Sequence, residues 1–234
     1  MAYEKLLNEI YAAVSLKYLW PEYQPSFVKS ESPDWINETM EFGMEVSQAL
    51  MPEDGKEESF LEQYLGCLKE ELPEMAFEHY GDRLHFYNGR FWAILPDTEM
   101  EQDYLTKAKY RFDKKLQKLN TNYHSMKYNG LYLFLHPTDE SSIDAEELFA
   151  YMKTQQEDRM VRFDWVFLNC VKVIYVCDFI NNELTPIILP KNAANFLNTE
   201  SEYLRYVQEW EDGAVLDSVM KSSGSSMKIR MDGR

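Results

Sequence analysis

Cysteine, long apolar runs and positive charge are all scarce in this chain of 234 residues. Its three cysteines, Cys67, Cys170 and Cys177, are widely spaced, and none has the close spacing of metal ligands. We therefore expect small core residues in a reducing cytoplasm rather than a disulfide framework. No apolar run approaches the roughly 18 residues of a membrane span, and the N-terminus lacks the basic and apolar blocks of a signal peptide. These absences predict a cytoplasmic protein that has no membrane partner.

Several common catalytic signatures are also missing from the sequence. The four histidines are scattered and form no His-x-x-x-His pair, which favours structural roles for them. There is no Gly-x-Ser-x-Gly elbow, no glycine-rich phosphate loop and no dinucleotide-binding fingerprint. These absences argue against a serine hydrolase, a P-loop enzyme and a dinucleotide-dependent enzyme.

Basic residues are unevenly distributed as well as scarce. The formal net charge is -16, and residues 1–103 hold 22 acidic but only seven basic residues. Residues 104–130 reverse this balance, with seven basic residues and one acidic residue. A chain this acidic is not expected to bind nucleic acid nonspecifically, because phosphate contacts dominate that affinity. Any contact with nucleic acid should therefore lie near residues 104–130, although the same basic face also fits a helix surface that is simply solvated.

Hydrophobic periodicity predicts alternating helices and strands. The predicted helices cover residues 3–18, 57–71, 100–120, 143–153 and 196–210. The predicted strands cover residues 33–36, 42–48, 131–135, 163–168, 171–177 and 184–189. Asn88-Gly89, between two apolar runs, predicts a β-hairpin within residues 83–95. The order predicts an α/β protein with a mixed central sheet flanked by helices, in one domain over residues 1–220, followed by a disordered tail over 221–234.

The segment ESPDWINETMEFGMEVSQAL carries two carboxylates in positions that suit a metal site. Asp34 lies in Pro-Asp-Trp-Ile and Glu45 lies in Phe-Gly-Met-Glu-Val-Ser. If two strands pair about a turn centred between residues 39 and 40, Asp34 faces Glu45 with Cβ atoms about 4.5–5.5 Å apart. Mg²⁺ takes oxygen ligands and prefers one or two carboxylates, so the pair predicts a site for Mg²⁺ or Mn²⁺. In the alternative interpretation, Asp34 caps a local backbone group and Glu45 faces solvent.

Ser47 follows Glu45 by two residues, so its side chain points to the same face of the strand. A lysine at this position would orient the attacking water and offset charge in a transition state, whereas serine carries no charge. The predicted helix over 100–120 is amphipathic and rich in lysine. We expect Lys115, which borders the apolar face of this helix, and then Lys118 to supply the missing positive charge.

This pattern resembles the restriction-endonuclease-like PD-(D/E)xK superfamily, in a branch of uncharacterised bacterial proteins with Ser or Thr in place of the motif lysine. The resemblance spans about residues 30–178. It rests on Pro33, Asp34, Gly43, Glu45, Ser47, Lys115, Lys118, Leu119 and Tyr123, together with the apolar strands at 131–135 and 163–168. It implies a restriction-endonuclease-like fold and a nuclease that hydrolyses phosphodiesters. It also implies that Asp34, Glu45 and the carbonyl of Val46 bind the metal, with Lys115 and Lys118 as catalytic residues.

Three functions remain open at this point. The first is a metal-dependent nuclease, or a catalytically impaired relative, that meets nucleic acid through the 104–130 basic helix. The second is an acidic protein without catalysis that occupies a basic nucleic-acid-binding protein, since its strong negative charge would be complementary to such a surface. The third is a fold that has lost its activity and serves as a scaffold within a larger assembly.

Overall fold

The computed structural model describes residues 2–19, 27–95, 104–121, 126–135, 144–190, 192–207, 214–216 and 218–219. Tyr123, one of the residues behind the family resemblance, and the tail over 221–234 lie outside these ranges. Residues 100–103 and 208–210, at the ends of two predicted helices, also lie outside them.

Helices and strands alternate along the chain as the periodicity predicts. The helices are α1 Ala2–Leu19, α2 Pro52–Tyr64, α3 Glu74–Tyr80, α4 Tyr104–Thr121, α5 Ala145–Gln156 and α6 Ala193–Val207. The strands are β1 Val28–Lys29, β2 Trp35–Asn37, β3 Phe42–Gln48, β4 Leu84–Tyr87, β5 Arg90–Ile94, β6 Tyr128–Phe134, β7 Trp165–Asn169, β8 Val173–Asp178 and β9 Glu183–Ile188. None of the described helices is long and apolar enough to cross a membrane.

Seven of these strands form one mixed sheet in the order β1-β2-β3-β6-β7-β8-β9. Strands β3, β6 and β7 run parallel, because α4 and α5 lie in the connections between them. The pairs at either side of this parallel centre are antiparallel. The predicted α/β class with a mixed sheet flanked by helices is therefore confirmed.

The sheet buries both of its faces, each against a different pair of helices. One apolar cluster joins α1 and α6 to residues such as Met44 and Val46 of β3. The other joins α4 and α5 to residues such as Leu131 and Leu133 of β6. Side chains alternate along a strand, so β3 sends Glu45 to the α4 face between its two apolar neighbours. The sequence of β3 thus brings a carboxylate into the layer between sheet and helix.

A smaller apolar cluster forms between α2, α3 and the β4–β5 hairpin, around Phe91 and Tyr80. The hairpin turns at Asn88-Gly89 as predicted, and both residues have the positive φ that this turn needs, 50° and 74°. The helix predicted over 57–71 instead spans Pro52–Tyr64, and Gly66 with φ 83° lies just after its end. Periodicity misses α3 and β1, because seven and two residues are too few for a pattern.

All three cysteines are free, with Cys170 and Cys177 buried and Cys67 partly buried. Burial raises the pKa of the Cys177 thiol well above its ordinary value, which is the behaviour of a core residue. These observations agree with the expectation of small core residues rather than a disulfide framework.

Candidate functional site

The turn between β2 and β3 brings the two predicted carboxylates together. Trp35 pairs with Met44 and Asn37 pairs with Phe42, so the same register continues to Asp34 opposite Glu45. Both acidic residues are only 3% exposed. The alternative in which Glu45 faces solvent is therefore wrong. The register of this pair follows from a four-residue connection, which sequence could supply.

Pro33 and Gly43 fit each other and so fix the position of Asp34. A Cβ atom added to Gly43 would lie 2.7 Å from Pro33 Cγ and 2.9 Å from Met126 Cγ. Real Cβ atoms essentially never come so close, so a residue other than glycine would push Pro33 away from β3. The glycine therefore lets the Pro-Asp segment lie flat against the strand that carries Glu45.

Asp34, the residue just before β2, caps a backbone group at the edge of β3. Its Oδ2 accepts a hydrogen bond from the Val46 N–H at 2.7 Å, and its Oδ1 lies 3.8 Å from Lys5 Nζ. Asp34 therefore does accept from a backbone group, but that group lies 12 residues away on the next strand, so the alternative in which it caps a local backbone group is wrong. Because the N–H and C=O of a strand residue point to the same edge, the Val46 carbonyl also lies on the Asp34 side of β3. Its role as a metal ligand stays a prediction.

Glu45 is contacted by both of the lysines that sequence singled out. Lys115 Nζ lies 2.6 Å and Lys118 Nζ 2.8 Å from the same oxygen, Oε1. The other oxygen, Oε2, is buried and has no hydrogen-bond partner. A buried polar atom without a partner costs free energy, because it has lost its water and gained nothing in return. One oxygen of this carboxylate is thus left without a hydrogen-bond partner among the described residues.

Helix α4 crosses β3 with a matching spacing of side chains. Arg111 and Lys115 are four residues apart, which is about 6 Å along a helix. Glu45 and Ser47 are two residues apart, which is about 6.6 Å along a strand. Accordingly, Lys115 reaches Glu45 while Arg111 Nε donates a hydrogen bond to Ser47 Oγ at 2.7 Å. Sequence analysis did not select Arg111; its spacing relative to Lys115 was the available signal.

Sequence analysis also missed a third buried carboxylate, that of Glu9 on α1. Glu9 is 3% exposed, and Lys29 Nζ lies 2.9 Å from its Oε2. Lys5 Nζ lies 3.3 Å from Oε1, close enough for an ion pair but without the geometry of a hydrogen bond. The signal in the sequence was an acidic residue directly beside the apolar stripe of α1. The contact of Glu9 with Lys29, 20 residues further along the chain, could not be predicted from the sequence.

The pKa values of the two central carboxylates, Asp34 and Glu45, are shifted in opposite directions. Burial, and then the negative charges of Glu45 and Glu9, together raise the pKa of Asp34 to about 7, against the opposing effects of the Val46 N–H and Lys115. Burial also disfavours ionised Glu45, but the ion pairs with Lys115 and Lys118 outweigh burial and lower the pKa of Glu45. Burial lowers the pKa of Lys115, with Glu45 opposing the change. Near neutral pH the site therefore holds an ionised Glu45 beside an Asp34 that is partly protonated.

The oxygens that remain available suit a hard divalent cation. They include Glu45 Oε2, which has no hydrogen-bond partner, and Asp34 Oδ1, which lies 3.8 Å from Lys5 Nζ. Glu9 Oε1 also lacks a hydrogen bond but lies closer to a cation, 3.3 Å from Lys5 Nζ. Within the described ranges, no group of three or more His, Cys, Asp or Glu side chains could hold a metal ion. The protein would thus contribute two carboxylates, which is within the one or two that Mg²⁺ usually takes. A cation between them would also relieve the repulsion that helps to raise the pKa of Asp34.

Two of the four histidines are described, and neither joins this site. His79 packs edge-on against Tyr80, and His85 is exposed on β4. The other two, at 124 and 136, lie outside the described residues.

We compared the chain with models of protein families, with curated proteins and with solved structures, and none of the three comparisons gave a significant match.

Proposed function

We propose that this protein is a nuclease that hydrolyses phosphodiester bonds with the help of a divalent cation, Mg²⁺ or Mn²⁺. One observation carries the proposal: Asp34 and Glu45 are buried side by side, and one Glu45 oxygen has two lysines while the other has no partner. Buried acids of this kind are costly to a fold, which favours a functional reason for them.

The arrangement around the pair also supports a restriction-endonuclease-like fold. The α/β class is the one that the family resemblance implies. The motif residues Pro33 and Asp34, just before β2, lie together with the motif residues Gly43 and Glu45 of β3. Lys115 comes from a helix 70 residues further along the chain and contacts the same carboxylate. A chance occurrence of these short motifs would not require them to meet in one place.

In this proposal, each side chain has a distinct task. Asp34 and Glu45 bind the cation, which when bound would polarise the scissile phosphate and lower the pKa of a coordinated water. Lys115 supplies a largely buried positive charge next to the place where negative charge develops on the phosphate. Because burial lowers its pKa, Lys115 also gives up a proton more readily than an exposed lysine does. Lys118, with 41% of its side chain exposed, neutralises phosphate at the solvent side.

A cleavage assay tests the proposal. We expect the wild-type protein to cleave single-stranded DNA, duplex DNA or RNA with Mn²⁺ or Mg²⁺, and to be inactive in EDTA. Asp34→Asn and Glu45→Gln should each lower the rate about 100-fold or more, since each removes a ligand charge. Glu41→Gln is the matched control, because Glu41 lies in the same turn but has an exposed side chain. The proposal would be contradicted if the wild type cleaved none of the three substrates. Equal cleavage rates for Asp34→Asn and the control would also contradict it.

A further inference from the structure

Arg111 differs from the other cations of the site in how it is held. It is half-buried on α4, and its Nε donates to Ser47 Oγ at 2.7 Å. No described residue accepts a hydrogen bond from its two terminal amino groups, Nη1 and Nη2. Neither of them belongs to the buried polar atoms that lack a partner, so neither is fully buried. One edge of the guanidinium is therefore fixed while the other edge is available.

The charge of Arg111 is also the least compensated among the cations of the site. Lys5 and Lys29 form ion pairs with Glu9, and Lys115 and Lys118 form ion pairs with Glu45. Within the described ranges Arg111 has no ion pair, and its hydrogen-bond partner is a neutral hydroxyl. A guanidinium stays protonated at neutral pH, so a half-buried positive charge persists here, favoured by the neighbouring Tyr110 and the more distant Glu45 but paired with neither. An anion bound to Arg111 would complete this balance.

The shape of the group indicates which anion fits. Two parallel N–H donors on a planar guanidinium match the oxygens of a phosphate, and this bidentate contact is among the strongest that proteins make to nucleic-acid backbones. Ser47 and Glu45 are neighbours on the same face of β3, about 6.6 Å apart along the strand. Successive phosphates on one DNA strand are about 3.4 Å apart along the duplex axis, so one or two steps along the strand cover a comparable distance. A strand that presents one phosphate to the Asp34–Glu45 pair therefore has another phosphate group within reach of Arg111.

We propose that Arg111 binds a phosphate of a nucleic-acid strand beside the Asp34–Glu45 site, and that Ser47 is a positioning residue that holds the guanidinium in place. Ser47 occupies the position where the resemblance has a lysine. On this account the serine does not replace that charge but orients a charge brought by α4. The inference rests on the proposed function in naming nucleic acid as the ligand, whereas the binding itself does not require cleavage.

Equilibrium binding tests this inference separately from catalysis. The probes are fluorescein-labelled oligonucleotides of single-stranded DNA, duplex DNA and RNA, measured by fluorescence anisotropy with Ca²⁺, which also takes oxygen ligands. We expect Arg111→Gln to raise the Kd of the preferred probe about tenfold or more, because a charge-assisted bidentate contact is lost. The Kd of Arg111→Lys should lie between those of Arg111→Gln and wild type, because lysine keeps the charge but not the two parallel donors.

Two further variants separate positioning from nonspecific charge. Ser47→Ala should weaken binding about threefold or more, and Ser47→Thr should restore it, because threonine retains the hydroxyl that orients Arg111. Lys114→Gln is the control for Arg111→Gln, because Lys114 is exposed on the same helix and its substitution removes the same positive charge. Thermal melting of each variant shows whether it is folded. If Ser47→Ala does not fold, the comparison of Arg111→Gln with Lys114→Gln still decides the role of Arg111.

The outcomes separate this inference from the proposed function. If the wild type binds none of the probes, or if Arg111→Gln and Lys114→Gln weaken binding equally, the role of Arg111 is overturned. If Ser47→Ala is folded and binds as wild type does, the positioning role is overturned. A wild type that binds through Arg111 but cleaves no substrate with Mn²⁺ contradicts the nuclease and leaves the phosphate site standing. If the wild type cleaves and the Arg111→Gln variant cleaves with the same KM, the phosphate site alone is contradicted.

Discussion

Asp34 is the residue whose environment is most at odds with its charge. Burial, with a further contribution from the neighbouring acids Glu45 and Glu9, raises its pKa from an ordinary value of 3.8 to about 7. The folded protein therefore keeps a proton between pH 3.8 and 7 that the unfolded chain has released. It follows that the stability contributed by this group is fully present below pH 3.8 and is lost as the pH rises through 7. In the metal-free protein at pH 8, ionised Asp34 destabilises the fold.

The first prediction concerns the replacement of this carboxylate by an amide. Asp34→Asn removes the charge and keeps an oxygen that can accept the Val46 N–H. In EDTA at pH 8 we expect the variant to be more stable than wild type, by at most about 4 kcal/mol. The difference should shrink as the pH falls to about 4. Urea unfolding between pH 4 and 8 measures this, with Glu41→Gln as the exposed control. An Asn variant that is less stable than wild type at pH 8 would contradict the account.

The second prediction concerns the ion pair that keeps Glu45 charged. Lys115→Met leaves the nearly buried Glu45 carboxylate with only Lys118 as a partner. We expect a loss of about 3 kcal/mol in the free energy of unfolding, because breaking one side of a buried pair leaves a charge uncompensated. Glu45→Gln in the same chain should recover part of that loss. Chemical denaturation of the two single variants and the double variant gives the coupling energy, and additive effects would contradict a direct interaction.

At the scale of elements, the β2–β3 turn is the part of the site that sequence predicted best. Its register follows from one short connection, so the facing of Asp34 and Glu45 could be worked out by counting residues. Lys115 and Lys118 could be selected because α4 is long and strongly amphipathic. The contact of Arg111 with Ser47, 64 residues away, could not be worked out, because local patterns do not fix how a helix crosses a sheet. Glu9 was missed for the same reason.

The third prediction tests the close packing of this turn. Gly43→Ala would place a Cβ atom against the Pro33 ring, so either Pro33 or β3 must shift. We expect a loss of about 1–3 kcal/mol in the free energy of unfolding, together with weaker metal binding because Asp34 follows Pro33. Gly55→Ala is the matched control, since a Cβ there meets nothing within 4 Å and alanine favours the helix α2. Equal effects of the two substitutions on urea unfolding would refute the packing argument.

At the scale of the whole molecule, the basic region is less available than its sequence indicates. In α4, Lys109 pairs with Glu147, and Lys115 and Lys118 pair with Glu45. With Lys127, which pairs with Glu41, four of the seven basic residues of 104–130 thus contact acids of the same chain. With a net charge of -16, a broad electrostatic footprint on nucleic acid is not expected. Binding should instead depend on a few cations at the site.

The fourth prediction expresses this as a salt dependence. If about three cations contact phosphate, the logarithm of the binding constant should fall with the logarithm of salt concentration with a slope of about -3 or shallower. Anisotropy titrations from low to moderate NaCl measure the slope. A much steeper slope would mean that a larger basic surface is in contact than the site provides. Absence of binding to nucleic acid, with salt-sensitive binding to a basic nucleic-acid-binding protein, would favour the acidic inhibitor over the nuclease.

The most direct test of the central claim is thermal melting at pH 8 with and without Mn²⁺, comparing wild type with Asp34→Asn. A ligand at 100 times its Kd adds about 2.7 kcal/mol to the folded state that binds it. We predict that Mn²⁺ raises the melting temperature of wild type and leaves that of Asp34→Asn, which is already higher in EDTA, nearly unchanged. A melting temperature of wild type that does not respond to Mn²⁺, or an equal rise in both proteins, would contradict a cation site built on Asp34 and Glu45.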